Sequence, residues 1–276
     1  MITIVMFAAF ITFAYGHGRL VSPPGRSTMW RYGYKTPPNY DDNQLSCGGF
    51  YTQWTLNKGR CGVCGDPWNG PRENEAGGKY ATGTIVAQYI SGQTIQVSVQ
   101  ITATHRGFFE FRLCPVNSPH QPATQDCFDR YLLTQVNGAT KFYEPGAVGT
   151  YAVDLTLPRG LTCTQCVLQW KWNTGNSYNC DDSHNCCIGC GPQEQFYGCA
   201  DIAITSSGGG GIDAQNNNLV QGGVVGFIPI TGVHPLCQAT AIFRARYAYA
   251  DRYCVIQCSQ NKCPPNTYCT DACRYN

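Results

Sequence analysis

Two of the five histidines stand where they could do chemistry together. His17 follows the apolar run MITIVMFAAFITFAYG, and a cut after Gly16 would make it the first residue of the mature chain. An N-terminal histidine offers its α-amine and its ring Nδ1, which close one chelate ring on a metal. A third nitrogen from a second histidine completes a planar set. Nitrogen ligands in a tetragonal arrangement suit Cu(II), which also heads the divalent affinity order. His105 follows the run QTIQVSVQITA and precedes Arg106-Gly107, so it falls at a strand end or hairpin turn on the rim of a β-scaffold. Taken alone it would read as a surface or capping histidine. His120 and His234 lie beside prolines in loops, and His184 sits in the cysteine-rich loop after Asp181-Asp182 as a solvated residue.

The elements that must hold these residues follow from composition and periodicity. Met1 to Gly16 has no charge and an apolar run well short of the roughly 20 residues needed to span a bilayer. With Ala14 and Gly16 at the small-residue positions before a cut, it reads as a secretory signal, and the protein as secreted, extracellular and not membrane-bound. Eighteen cysteines, all after the cut, fit an oxidising compartment. A formal net charge of +2 is too small a basic bias for nucleic acid, and 43% hydrophobic content is too rich for disorder.

Residues 17 to about 80 are dense in Gly, Pro, Asn, Tyr and Trp and read as loop and turn, with short helices allowed. Beyond them, 82–90, 93–103, 107–116, 149–158, 164–172 and 196–205 read as strands. Ile95, Val97, Val99, Ile101 and Phe109, Phe111, Leu113 alternate with polar residues. The expected fold is all-β: an immunoglobulin- or fibronectin-like antiparallel sandwich with long loops, over residues 17–205. A Gly/Asn-rich linker over 206–236 leads to a small module at 237–276, whose six cysteines imply three disulfides. Cys61-x-x-Cys64 and Cys163-x-x-Cys166 allow a zinc site, but in an exported chain disulfides are favoured, as they are for Cys186, Cys187 and Cys190. Asp201 reads as a buried structural carboxylate with a hydrogen-bond partner.

Four segments together resemble a known family. They are His17-Gly18-Arg19-Leu20-Val21-Ser22-Pro23-Pro24-Gly25-Arg26, Cys61-Gly62-Val63-Cys64-Gly65-Asp66, ITATHRGFFEFRLCP at 101–115, and GPQEQFYGCADI at 191–202. In order, spacing and end position they resemble the lytic polysaccharide monooxygenases, in particular the animal type of auxiliary-activity family fifteen, from His17 to about Thr205. The resemblance implies one copper ion held by the amine and ring of His17 and the ring of His105. It implies Ala103 as a small residue beside one axial position and Phe196 as the opposite axial neighbour, with Tyr197 in reserve. Glu194 or Gln193 would be the polar group beside the oxygen co-substrate. It implies oxidative cleavage of an insoluble polysaccharide, chitin or cellulose, by a monomer supplied with electrons by an external donor. Trp30, Tyr32, Tyr34 and Tyr40 could meet sugar rings or pack the early loop.

Two other readings compete. A non-catalytic carbohydrate-binding protein would use the same face, and a copper-binding protein without polysaccharide activity would use the same histidines. An acid–base glycosidase is disfavoured, since no pair among Glu73, Glu75, Glu110, Glu144 and Glu194 has the context of paired carboxylates.

Overall fold

Strict alternation over residues 94–103 requires a strand with one face buried, and Ile95, Val97, Val99 and Ile101 are all at most 2% exposed. The computed structural model describes residues 17–206. The signal segment 1–16, the linker after residue 206 and the cysteine-rich module 237–276 lie outside the described residues.

In chain order the elements are β1 (His17–Ser22), β2 (Ala87–Ile90), β3 (Thr94–Ala103), β4 (Phe108–Pro115), α1 (Gln125–Asp129), β5 (Thr134–Gln135), β6 (Phe142–Tyr143), β7 (Gly149–Thr156), β8 (Cys163–Asn173), β9 (Tyr178–Cys180), β10 (Cys186–Ile188) and β11 (Gln195–Thr205). A 3₁₀ turn at Met29–Tyr32 and a π-helical turn at Tyr51–Leu56 lie in the early loops. One sheet runs β1-β3-β7-β5 and the other β2-β11-β8-β4-β6, with β9 and β10 forming a separate hairpin. Leu20, Val97, Val99, Ile101, Val153 and Leu155 from the first sheet meet Phe109, Phe111, Leu113, Leu168, Trp170, Trp172 and Phe196 from the second in one core.

The sandwich therefore forms as expected, with two differences. The N-terminal segment read as loop opens with a strand, β1, paired antiparallel to β3. Pairing is antiparallel except at one edge, where β2 runs parallel to β11, with Ala87 opposite Ile202. Only the last four residues of the predicted 82–90 strand are extended in this way.

The central strands β8 and β11 are buried along both faces. The core covers one face. The other is covered by the early loops, where Gln169 Nε2 donates to the Val63 carbonyl at 2.7 Å and Cys64 is bonded to Cys199. Two-sided burial explains the near-continuous apolar character of both strands. All twelve described cysteines are in disulfides: Cys47–Cys61, Cys64–Cys199, Cys114–Cys127, Cys163–Cys166, Cys180–Cys186 and Cys187–Cys190. Asp201 is buried as expected. It accepts from Arg26 Nε at 2.8 Å, Arg26 Nη2 at 2.6 Å and Gln165 Nε2 at 2.9 Å.

Candidate metal centre

The β1–β3 register sets His17 opposite Ala103. His105 lies two residues beyond Ala103, just past the end of β3, so the two histidines lie at the same end of the sandwich. His17 is half-buried and His105 is 6% exposed.

Several bonds hold His105 in place. Its carbonyl accepts from Gly175 N at 2.9 Å. The chain then reverses through Arg106 and Gly107, at φ 54° and 84°. Glycine is required at the second position, because a Cβ there would lie 2.0 Å from the Asn173 carbonyl oxygen. Trp172 Nε1 donates to the Arg106 carbonyl at 2.6 Å, and its ring centroid lies 6.5 Å from that of His105. On the other side of the turn, Glu144 accepts from the Thr104 hydroxyl at 2.7 Å.

Glu194 completes the group. Its Oε2 lies 3.3 Å from Nδ1 of His105, and its carbonyl accepts from Thr174 N at 3.0 Å. A carboxylate on one ring nitrogen fixes the orientation of an imidazole and leaves the other nitrogen for a metal. Gln193 is spoken for. Its amide accepts from Ser177 N and donates to the carbonyls of Ser177 and Cys190, all within 3.1 Å. It is a clamp between the β9–β10 hairpin and β11, so Glu194 is the one of the two beside His105.

Phe196 and Tyr197 occupy opposite faces of β11. Phe196 is paired with Trp172, their ring centroids 5.2 Å apart, and so stands on the side of His105. The Tyr197 hydroxyl donates to Gln195 Oε1 at 2.8 Å, beside the buried Gln53. Burial pushes that hydroxyl above the usual phenol range. Lys171, held by burial below the usual lysine range, lies over the same ring.

The early aromatics divide. The Tyr34 ring packs on the core and its hydroxyl donates to the Val86 carbonyl, while Tyr40 is 76% exposed with its ring edge-on to Trp30. Tyr32 is half-buried. His120 and His184 are exposed in loops, and His234 lies outside the described residues. A depression of about 320 Å³ lined by Ser91, Gly92, Arg159 and Gly160 lies at the other end of β3. At a strand's rise per residue that end is roughly 30 Å from Ala103.

Among the described residues no three His, Cys, Asp or Glu side chains cluster to hold a metal. The family model described as "Lytic polysaccharide mono-oxygenase, cellulose-degrading" matches residues 17–202, the segment that runs from the first histidine through the last strand. The chain belongs to the lytic polysaccharide monooxygenases. A lytic polysaccharide monooxygenase AA15 from Thermobia domestica, solved in its Cu(I) state, is 53% identical, with TM-score 0.66, covering 69% of this chain and 99% of that one. A chitin binding domain from Burkholderia pseudomallei is 16% identical over 69% of this chain and all of that one, with TM-score 0.44. No curated protein sequence matches.

As a lytic polysaccharide monooxygenase of the AA15 type, the protein is a copper-dependent oxidoreductase. The imidazole nitrogens of His17 and His105 suit that metal, and no described cysteine offers a thiolate, since every one is in a disulfide. No helix among the described residues is long and apolar enough to cross a membrane. The roles of Glu144, Trp172 and Gly175 around His105 were not apparent from sequence. Their partners are distant in the chain, and only a turn signal at Arg106-Gly107 hinted at one of them.

Proposed function

We propose that the chain is exported and cut after Gly16, and that the mature protein holds one copper ion between the amine and ring of His17 and the ring of His105. The observation that carries this reading is the register of β1 on β3, with His105 two residues beyond the partner of His17. Copper, when bound, supplies one-electron chemistry that lets oxygen or peroxide attack the C–H bond beside a glycosidic linkage, once an external donor has reduced it.

The chain's own residues do the rest. Glu194 Oε2 orients His105 through Nδ1. Ala103 is the small residue that constrains one approach to the metal. Phe196 offers hydrocarbon and no phenol on the other side.

The substrate is an insoluble polysaccharide, chitin or cellulose. Support comes from the hairpin that packs on Gly175, the bonding partner of His105. Tyr178 and Ile188 are cross-strand partners on the β9–β10 hairpin, 67% and 68% exposed. Hairpin strands of three residues are marginal alone, and two disulfides and the Gln193 clamp hold these. Gly189 of the same hairpin packs on Gly175, whose NH is bonded to His105. An exposed tyrosine beside an exposed isoleucine on a disulfide-braced hairpin suits the faces of a neutral sugar polymer. Replacing both Tyr178 and Ile188 by alanine is expected to weaken adsorption to the polymer about tenfold, at roughly 1.4 kcal/mol, with copper affinity unchanged. Binding isotherms on chitin and cellulose read this out, and unchanged adsorption would remove the hairpin from the contact surface.

The decisive experiment uses protein beginning at His17, loaded with copper, and incubated with chitin or cellulose and ascorbate. Oligosaccharides with oxidised ends, present only with copper and reductant together, are the expected products by mass spectrometry. None from either polymer would refute this assignment of substrate.

A further inference from the structure

We infer that Asn43 and Thr102 form a clamp that fixes the first peptide unit of the mature chain and presets the amine and ring of His17 for copper. This rests on the reading that His17 begins the mature chain. A terminal residue ordinarily frays, because nothing precedes it to hold it. The problem is sharper here, since β1 is the edge strand of its sheet and has a neighbour on one side only. Its ladder is also irregular between His17 and Gly18.

The loop before Cys47 supplies the missing partner. Asn43 O accepts from Gly18 N at 3.0 Å. Asn43 Nδ2 donates to the Thr102 hydroxyl at 2.9 Å, and that hydroxyl donates to the His17 carbonyl at 3.3 Å. The peptide between His17 and Gly18 is thus held at its carbonyl from β3 and at its NH from the loop. The loop is itself anchored. Asp42 has no exposed side-chain surface, and it takes Arg19 Nη1 at 2.6 Å and Arg31 Nε at 2.5 Å.

These bonds leave the amine and ring of His17 untouched and fix the atoms next to them. A chelate built on a fixed residue forms without ordering that residue at the moment of binding. Asn43 and Thr102 are therefore positioning residues. Thr102 is exposed, so its hydroxyl can be removed without opening the core.

The test compares Thr102→Val, Thr102→Ser and Asn43→Ala in protein beginning at His17. Copper affinity is read by competition with a chelator, and site geometry by the Cu(II) electron paramagnetic resonance spectrum. Thr102→Val and Asn43→Ala are expected to weaken copper binding about tenfold, the lower end for an outer-shell partner, and to alter the spectrum. Thr102→Ser, which keeps the hydroxyl, is expected to match the parent in both. The melting temperature of the copper-free protein should move by less than about 4 °C in all three. Parent-like affinity and spectrum in Thr102→Val would overturn the clamp. His105→Ala with parent-like affinity would overturn the underlying site, and the clamp with it.

Discussion

A single glycine placed ahead of His17 is expected to weaken copper binding by more than the about 10–100-fold that loss of an outer-shell partner costs. The extension turns the α-amine into a peptide nitrogen, whose lone pair is delocalised into the carbonyl. On the proposed ligand set the chelate ring is then lost, and two imidazoles remain of its three nitrogens. Nothing else in the fold has reason to change. The strand pairing and the bonds that secure the first residues use the His17 carbonyl, the Gly18 NH and atoms further along, none of which the extension alters. The extended protein should therefore melt like the parent and differ in metal binding alone. Parallel chelator competitions on the two forms decide the matter, and equal affinity would mean that the amine is not a ligand.

The largest effect on stability is expected from Arg26→Met. Arg26 and Asp201 form a two-pronged pair, 5% and 1% exposed, and Arg26 Nη1 also donates to the Asn74 carbonyl. Removing the guanidinium leaves a buried carboxylate with Gln165 as its remaining side-chain donor, a change that typically costs about 3–5 kcal/mol. For a domain of this size each kcal/mol moves the melting temperature by about 2–4 °C, so a loss of roughly 6–20 °C is expected. Arg26→Met combined with Asp201→Leu should recover much of it, because the pair is replaced by hydrocarbon and no orphaned charge is left. Thermal unfolding of the single and double variants measures both. A single variant that melts within 2 °C of the parent would show that the pair contributes little.

Much of this architecture was legible from residue patterns. The alternation in β3 and β4 named the core residues that face across the sandwich, and the composition placed the cysteines in disulfides. What was hidden depended on partners distant in sequence. β1 has six residues including glycine, arginine and serine, and becomes a strand because β3 pairs with it. Parallel pairing of β2 with β11 joins residues more than a hundred apart, which no local signal records. Alternation required Phe196 and Tyr197 to face opposite ways, but which faced His105 needed the pairing of Phe196 with Trp172. Gln193 and Glu194 are adjacent polar residues in sequence, separated in role by the three bonds that occupy the first.

β11 is the last strand of the described domain and yet lies inside its sheet, between β2 and β8, with Glu194 at its threshold. The histidine that opens the domain and the carboxylate that closes the site are thus contributed by opposite ends of the described domain. During synthesis the first emerges long before the second exists. Until residues 195–205 arrive, β2 lacks its neighbour and β8 one of its two. Such a topology, rich in contacts between distant residues, folds slowly compared with local ones. Assembly of the metal centre is accordingly a late event, coupled to completion of the whole domain. A chain truncated before Gln195 would present its histidines on a scaffold that cannot close around them.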